Sequence, residues 1–458
     1  MARADLGWFG IFRLGLVQTS LGAIVVLTTS TMNRVMVVEH LLPAMLPGAL
    51  VALHYLIQLS RPRLGHASDL TGRRTPLIRL GMLVLAIGGV LAAVATAIMG
   101  QERWFGTTLA VIAFSLIGLG VGASGTSLLA LLASLVPDHR RAAAGSMVWI
   151  MMILGFVLTA GIAGQFLDPF SGTRLVLVTA TVAGIALLTT MLATAGIEAP
   201  MATPRRQPTA TAPALPFRAV LGEIWDEARA RQFTIFVFVS MLAYSTQDLL
   251  LEPFAGTVFG LTPGESTQQA GLQNAGVLLG MLLVAALGTL FARSALGSLK
   301  LWTVTGCVGS ALALVNLTLA GISGPPWPLQ ASVFVLGVAN GCFAVAAIAT
   351  MMALAGQGQR GREGVRMGLW GAAQAIAFAI GGFLGTALLD LLRALALAPA
   401  HAYACIFLIE AVIFLAAAAL AARIVHPNRT GSAEPDTDSA VVDVKTALAA
   451  NNRWRLTS

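Results

Sequence analysis

The chain has 458 residues, 57% of them hydrophobic and only 10% charged, whereas a soluble globular chain carries roughly 25% charged residues, so water is excluded as its main solvent. A net charge of +8 does not indicate nucleic acid, because no basic face with interleaved base-stacking aromatics accompanies it. The three cysteines, Cys307, Cys342 and Cys405, each stand alone in an apolar run without C-x-x-C spacing and read as small packing residues.

From the start of the chain, Met1 to Gly10 lead into a long apolar segment with no A-x-A cleavage pattern, which predicts a first membrane helix rather than a removed signal peptide. Apolar runs of bilayer-crossing length, about 20 residues, predict spans at 11–33, 43–62, 76–99, 105–135, 141–167 and 173–197. After a linker come 232–255, 268–291, 297–320, 328–355, 364–392 and 401–424. The fold class that follows is an all-α membrane protein of twelve transmembrane helices in two pseudo-symmetric six-helix bundles. Residues 1–197 form the first bundle, 198–231 the linker, 232–425 the second bundle and 426–458 a polar tail.

Of the 28 basic residues, only Arg34, Arg103, Arg174 and Arg393 fall on the side opposite the termini. The positive-inside rule then predicts cytoplasmic termini and linker, in agreement with an even number of spans. The linker opens on Pro200, Pro204, Pro208, Pro213 and Pro216, which resist regular structure. From Phe217 to Phe233, Val220, Ile224 and Ala228 share one helical face, which fits an amphipathic helix on the inner leaflet or an N-terminal extension of helix seven. Arg141 and Arg362, Trp149 and Trp370, Gly161 and Gly382, and Gly164 and Gly385 fall at one common spacing, so helices five and eleven read as duplicates.

The sharpest local signal is the second loop. Gly65, Asp69, Gly72, Arg73 and Arg74 resemble the G-x-x-x-D-x-x-G-[RK]-[RK] signature between helices two and three of the major facilitator superfamily. The glycines permit a tight turn, Asp69 suits the positive end of a helix, and the arginines suit carboxylates or lipid phosphates. The resemblance implies a conformational latch involving helix eleven. In the second half Gly288 to Arg293 keeps the glycine and loses the acid. The run Gly120 to Gly125 matches G-x-G-x-x-G, yet it interrupts an apolar span and so reads as close helix packing rather than a dinucleotide site.

Polar residues inside membrane spans are expensive and point to function. The cavity or pigment candidates are Gln18, Arg34, His54, Gln58, Asp248, Glu252, Asn274, Asn340 and Gln374, with Gln273 and Glu410 beside them. His54 is a candidate axial ligand of a chlorophyll magnesium, or a hydrogen-bond partner of a neighbouring helix; the chain offers no metal site of its own. Asp248 and Glu252, at i and i+4, share a face that can bind a cation, take a proton or pair with Arg34, pairing being the bland expectation. H-E-x-x-H, G-x-S-x-G and phosphate-cradling loops do not occur, so an enzyme is not expected. Helices one and four carry no deep carboxylate, which weakens ordinary proton-coupled efflux.

Three long strings, at residues 29–69, 135–156 and 232–269, resemble the PucC/LhaA family, a branch of the major facilitator superfamily found in photosynthetic bacteria. They include polar residues foreign to a generic membrane helix: Asn33, Arg34 and Glu39, then Gln247, Asp248, Glu252 and Pro253. The resemblance implies an assembly factor in the bacterial inner, photosynthetic membrane, binding or delivering bacteriochlorophyll or a chlorophyll precursor. Membrane lipid, light-harvesting polypeptides and chlorophyll synthase are its implied partners. The spacing from Asp69 to Gly72 is shorter than in family members serving the core or peripheral antenna, which leaves the antenna complex open. The alternative is a secondary transporter of a small hydrophobic or organic solute working by alternating access.

Overall fold

Apolar backbone in lipid has no water to bond, so each run closes its hydrogen bonds on itself as a helix. The computed structural model describes residues 6–61, 74–198, 222, 225–291, 294–356 and 363–424. Among them stand twelve apolar helices, eleven long enough to cross a membrane and one shorter. The first half holds α1 (Trp8–Glu39), α2 (Met45–Ser60), α3 (Thr75–Met99), α4 (Arg103–Leu135), α5 (Asp138–Leu167) and α6 (Gly172–Ala193). The second holds α7 (Ala228–Phe259), α8 (Pro263–Leu290), α9 (Leu299–Ser323), α10 (Leu329–Gly356), α11 (Glu363–Ala394) and α12 (Pro399–Ile424).

The expected spans are all present; α1, α7 and α8 run longer than expected, and α2 and α6 shorter. Helix α1 runs on past residue 33, because Arg34 and Glu39 satisfy each other and the four residues between them are apolar. It does so with two π-helical turns, Leu27–Thr31 and Val35–Glu39, on either side of Met32–Arg34. Helix α2 is the short one, and its final turn, Gln58–Ser60, tightens to a 3-10 helix. Of the 217–233 stretch, Ala228 onward belongs to α7, as its N-terminal extension requires, while 217–221, 223 and 224 lie outside the described residues, as do the polar tail and most of the basic loop.

The halves meet along two helix pairs, α5 with α8 and α2 with α11. Inside each half the packing repeats: Thr19 of α1 donates to the Met151 carbonyl of α5 at 2.8 Å, beside Gly155. Correspondingly, Thr246 of α7 donates to the Gly381 carbonyl of α11 at 2.9 Å. This corrects the duplicate register read from the sequence. Gly164 faces Gly264 and Gln268 of α8 across the interface, and Gly161 offers its backbone to Gly271, whereas Gly382 and Gly385 face α7 in their own half. The glycines match by spacing and not by neighbour. The run Gly120 to Gly125 lies inside α4, with Gly120 and Ser124 against α3, as close packing requires.

Each half has its own apolar core, but the cores interlock at the end where α1 finishes. Leu249 of α7 packs into the first core, and Val37 and Ala44 pack into the second. Trp104 and Phe105 are exposed at this end and Trp8 and Phe9 at the other, where amphipathic rings mark the two membrane interfaces. Arg140 lies over the Trp8 ring at 5.9 Å.

Candidate functional site

At the Glu39 end, α1 and α7 are joined by bonds that follow from one proline. Pro253 stands inside α7 and has no N–H to give the carbonyl four residues earlier. That carbonyl, of Leu249, instead accepts from Asn33 Nδ2 of α1 at 2.6 Å. The next residue, Arg34, is 2% exposed and reaches two acceptors. Its Nη1 pairs with Glu39 and its Nη2 donates to the Leu261 carbonyl at 2.5 Å.

The expected pairing of Arg34 with Asp248 or Glu252 is therefore corrected. A π-helical turn places residues i and i+5 one above the other, and Val35–Glu39 is such a turn, so Glu39 takes the guanidinium first. Two glycines of α7 make room for it. Gly260, left-handed at φ 70°, ends the helix and turns the Leu261 carbonyl toward α1. A Cβ at Gly256 would lie 3.0 Å from Arg34 Nε and Nη2.

Two carboxylates close the same end across the halves. Asp168, after α5, accepts from Thr262 Oγ1 at 2.5 Å and Gly264 N at 3.1 Å, at the start of α8. Asp390 of α11 accepts from the backbone N–H groups of Ala44 at 3.0 Å and Met45 at 2.7 Å, at the start of α2. Each half thus lends an aspartate to a helix N-terminus of the other, where unpaired N–H groups and the helix dipole favour an anion. Thr31 and Thr267 add a hydroxyl contact at 3.0 Å. A pocket of about 580 Å³ opens at this end beside Arg34, Glu39, Asp168 and Phe170.

Deeper, the facing helices present rings. Tyr55 of α2 packs on Phe378 of α11 with centroids 4.9 Å apart, Tyr244 of α7 on Phe378 at 5.9 Å, and Tyr244 on Phe343 of α10 at 6.4 Å. Met241, Tyr244 and Asp248 share one half-buried face of α7, and Asp248 lies within electrostatic reach of both tyrosines. One amide–thioether contact lies within each half, Gln18 Nε2 of α1 on Met152 Sδ of α5 at 3.1 Å and Gln374 Nε2 of α11 on Met241 Sδ of α7 at 3.8 Å. Rings, amides and one carboxylate suit a flat, largely apolar ligand with a few polar edges.

The other sequence candidates scatter. His54 is buried on α2, its Nε2 2.8 Å from Gln58 Nε2, while Arg61 donates to Gln58 Oε1. With Oε1 accepting, the amide nitrogen donates, so His54 Nε2 is the acceptor and Nδ1 carries the proton. Its one lone pair is spent within α2, and no face is open to a macrocycle. Asn274 Nδ2 bonds the Ala270 carbonyl of its own helix at 2.9 Å. Asn340 accepts from Ser310 at 2.8 Å inside the second half, fully buried and away from the interface between halves. Glu410 is buried on α12 with no hydrogen-bond partner. Of the basic-loop latch, Gly65, Asp69, Gly72 and Arg73 lie outside the described residues. Arg74 bonds the Ala130 carbonyl, and Glu198 accepts from the backbone N–H groups of Arg74 and Thr75 at 2.9 and 2.8 Å, capping α3.

Sequence reasoning missed the ring cluster, the paired aspartates and the Asn33 bond. Only the last had a readable signal, a proline inside a predicted span facing a carbonyl that lacks a donor.

The family described as PUCC protein matches residues 31–429. A relative from Rhodobacter capsulatus, named bacteriochlorophyll synthase 44.5 kDa chain, is 52% identical over 420 residues, 92% of this chain and 96% of its own. Protein PucC of Cereibacter sphaeroides is 27% identical over 422 residues, 88% of each chain. In three dimensions the nucleoside transporter NupG superposes with a TM-score of 0.65 at 13% identity, over 91% of this chain and all of that one. A bacterial homologue of the lysosomal transporter Spinster gives 0.66 at 15% identity, over 91% and 97%. The fold is that of the major facilitator transporters.

Proposed function

The chain belongs to the PUCC protein family, and on that premise we propose that it is an assembly factor of the photosynthetic membrane, binding (bacterio)chlorophyll or a precursor between its halves and passing it to nascent light-harvesting polypeptides. The observation that carries the reading is the ring cluster of Tyr55, Tyr244, Phe343 and Phe378 between the halves, in a chain with a 52%-identical relative named for bacteriochlorophyll. Tilted and edge-to-face rings with oxygen donors beside them fit a chlorin: the rings would line its apolar surface, and Asp248 and the amides of Gln18 and Gln374 would offer oxygens, which suit magnesium. His54 does not fit as axial ligand in this arrangement, since its acceptor nitrogen serves Gln58. What the pigment supplies when bound is its absorption; what the chain supplies is a dry, separable interface to hold it.

We read the role as handling pigment rather than making it, although the 52%-identical relative has "synthase" in its name. The groups facing the interface are rings, thioethers, amides and a carboxylate, a set that binds and orients. The site lies in the bacterial inner, photosynthetic membrane, with both termini cytoplasmic, and chlorophyll synthase is a fitting upstream partner.

The test is the absorption spectrum and extracted pigment of the tagged protein, purified in mild detergent from a pigment-making host, with co-purifying proteins identified. Stoichiometric pigment with antenna polypeptides is the expected result. Tyr55→Ala with Phe378→Ala should lower bound pigment about tenfold, the scale of two lost ring contacts, while His54→Gln keeps it. A colourless preparation without antenna partners would favour the second reading, a solute transporter, which the bonds gathered at one end of the interface also suit.

A further inference from the structure

Glu252 of α7 is 3% exposed, and its carboxylate makes no hydrogen bond of full geometry, although the hydroxyls of Ser30 and Ser266 approach it as donors. The groups that face it are Ser30 and Arg34 from α1, Ser266 from α8, and Asp248 one turn earlier on its own helix. Arg34 in turn has one buried donor unused, its Nε, and its guanidinium lies against Gly256, one turn beyond Glu252. A carboxylate outside any ion pair and a guanidinium with one unused N–H thus lie within electrostatic reach of each other, one on each half.

We propose that Glu252 is an exchangeable proton site whose occupancy sets how firmly Arg34 holds the Glu39 end shut. The argument is one of which half each counter-ion belongs to. Glu39 sits on the same helix as Arg34, so that pair travels together and does nothing to join the halves. The cross-half bond of Arg34 is the one to the Leu261 carbonyl, a neutral acceptor. When Glu252 is ionised, Arg34 faces a full negative charge on the far half in a medium of low dielectric, and the end is held more tightly. When a proton from solvent enters the carboxylate, that attraction is lost, Arg34 keeps Glu39, and the halves part at lower free energy. A metal ion is the poorer occupant, because the site offers a single carboxylate and the guanidinium repels a second cation. The sign follows: the closed Glu39 end gains population as pH rises through the titration of Glu252, and loses it as pH falls.

The experiment uses the full chain in lipid nanodiscs with Cys405→Ser, spin-labelled at Gln101→Cys and Ser323→Cys, exposed positions at this end of the two halves. Pulsed dipolar spectroscopy reads the closed-to-open ratio from low to high pH. That ratio should rise at least about fivefold, the lower range of coupling between two sites, and Glu252→Gln should abolish the dependence and leave the end more open. As a check that needs no variant, dicyclohexylcarbodiimide, which reacts with protonated buried carboxyls, should modify the Glu252 peptide of the native chain at low pH and spare it at high pH. An unchanged pH response in Glu252→Gln, no pH response in the parent, equal labelling at both pH values, or sodium replacing the effect of high pH would each overturn the proposal. Pigment binding is not read here, so this result and that of the assembly role stand apart.

Discussion

Asn33 acts through a bond that α7 cannot make for itself. Removing its amide leaves the buried Leu249 carbonyl without a donor, a loss of about 1–3 kcal/mol. Asn33→Ala should therefore lower the unfolding midpoint in detergent, and Pro253→Ala in the same chain should recover part of it, because residue 253 then supplies the missing N–H. If the two losses simply add, the proline does not explain the bond. Gly256→Val makes a related demand. Its Cβ would press on the guanidinium of Arg34, so the variant should open the Glu39 end in the spin-label measurement, with Gly256→Ala milder. Of the residues concerned, Arg34 and Glu252 stood out in the sequence because intramembrane charges are expensive, and Asn33, Glu39 and Pro253 as unusual members of the strings that carry the family resemblance. Which of them would meet was not legible. Pairing of Arg34 depended on a π-helical turn, and nothing in the residue pattern of Val35–Glu39 announces one.

Between elements, Asp168 and Asp390 are near-equivalents, the first just after α5 and the second near the end of α11, each capping a helix of the other half. Asp168→Asn and Asp390→Asn should each shift the Glu39 end toward open by about 0.5–2 kcal/mol, the usual worth of a cap. The two sites share no partner, so the double variant should show the sum; a double variant no worse than either single one would mean that the caps act as a unit. Helix existence and order were fully legible, since lipid leaves a long apolar run only one regular solution. Neighbours were not. A glycine in such a run says that something approaches closely, and Gly164 and Gly385 show that it does not say which helix.

At the scale of the whole molecule, the two interlocked cores make one end of the interface a zone of mixed ownership, with Leu249 in the first core and Val37 and Ala44 in the second. Twofold organisation was legible in the hydropathy, as two runs of six spans divided by a proline-rich linker. The ring cluster was not, because Tyr55, Tyr244, Phe343 and Phe378 come from four helices whose facing sides only the packing fixes. The shortness of α2 has a consequence for synthesis. Its N-terminus is capped by a residue 346 positions later in the chain, and at 5–20 residues per second the ribosome takes roughly 20 to 70 seconds to make that partner. For that interval a helix of about 24 Å, carrying His54 and Gln58, waits beside α4 with its other flank uncovered. The first six helices released alone should therefore be cleared by membrane proteases faster than the complete chain, and co-expression of the second half as a separate polypeptide should slow that clearance.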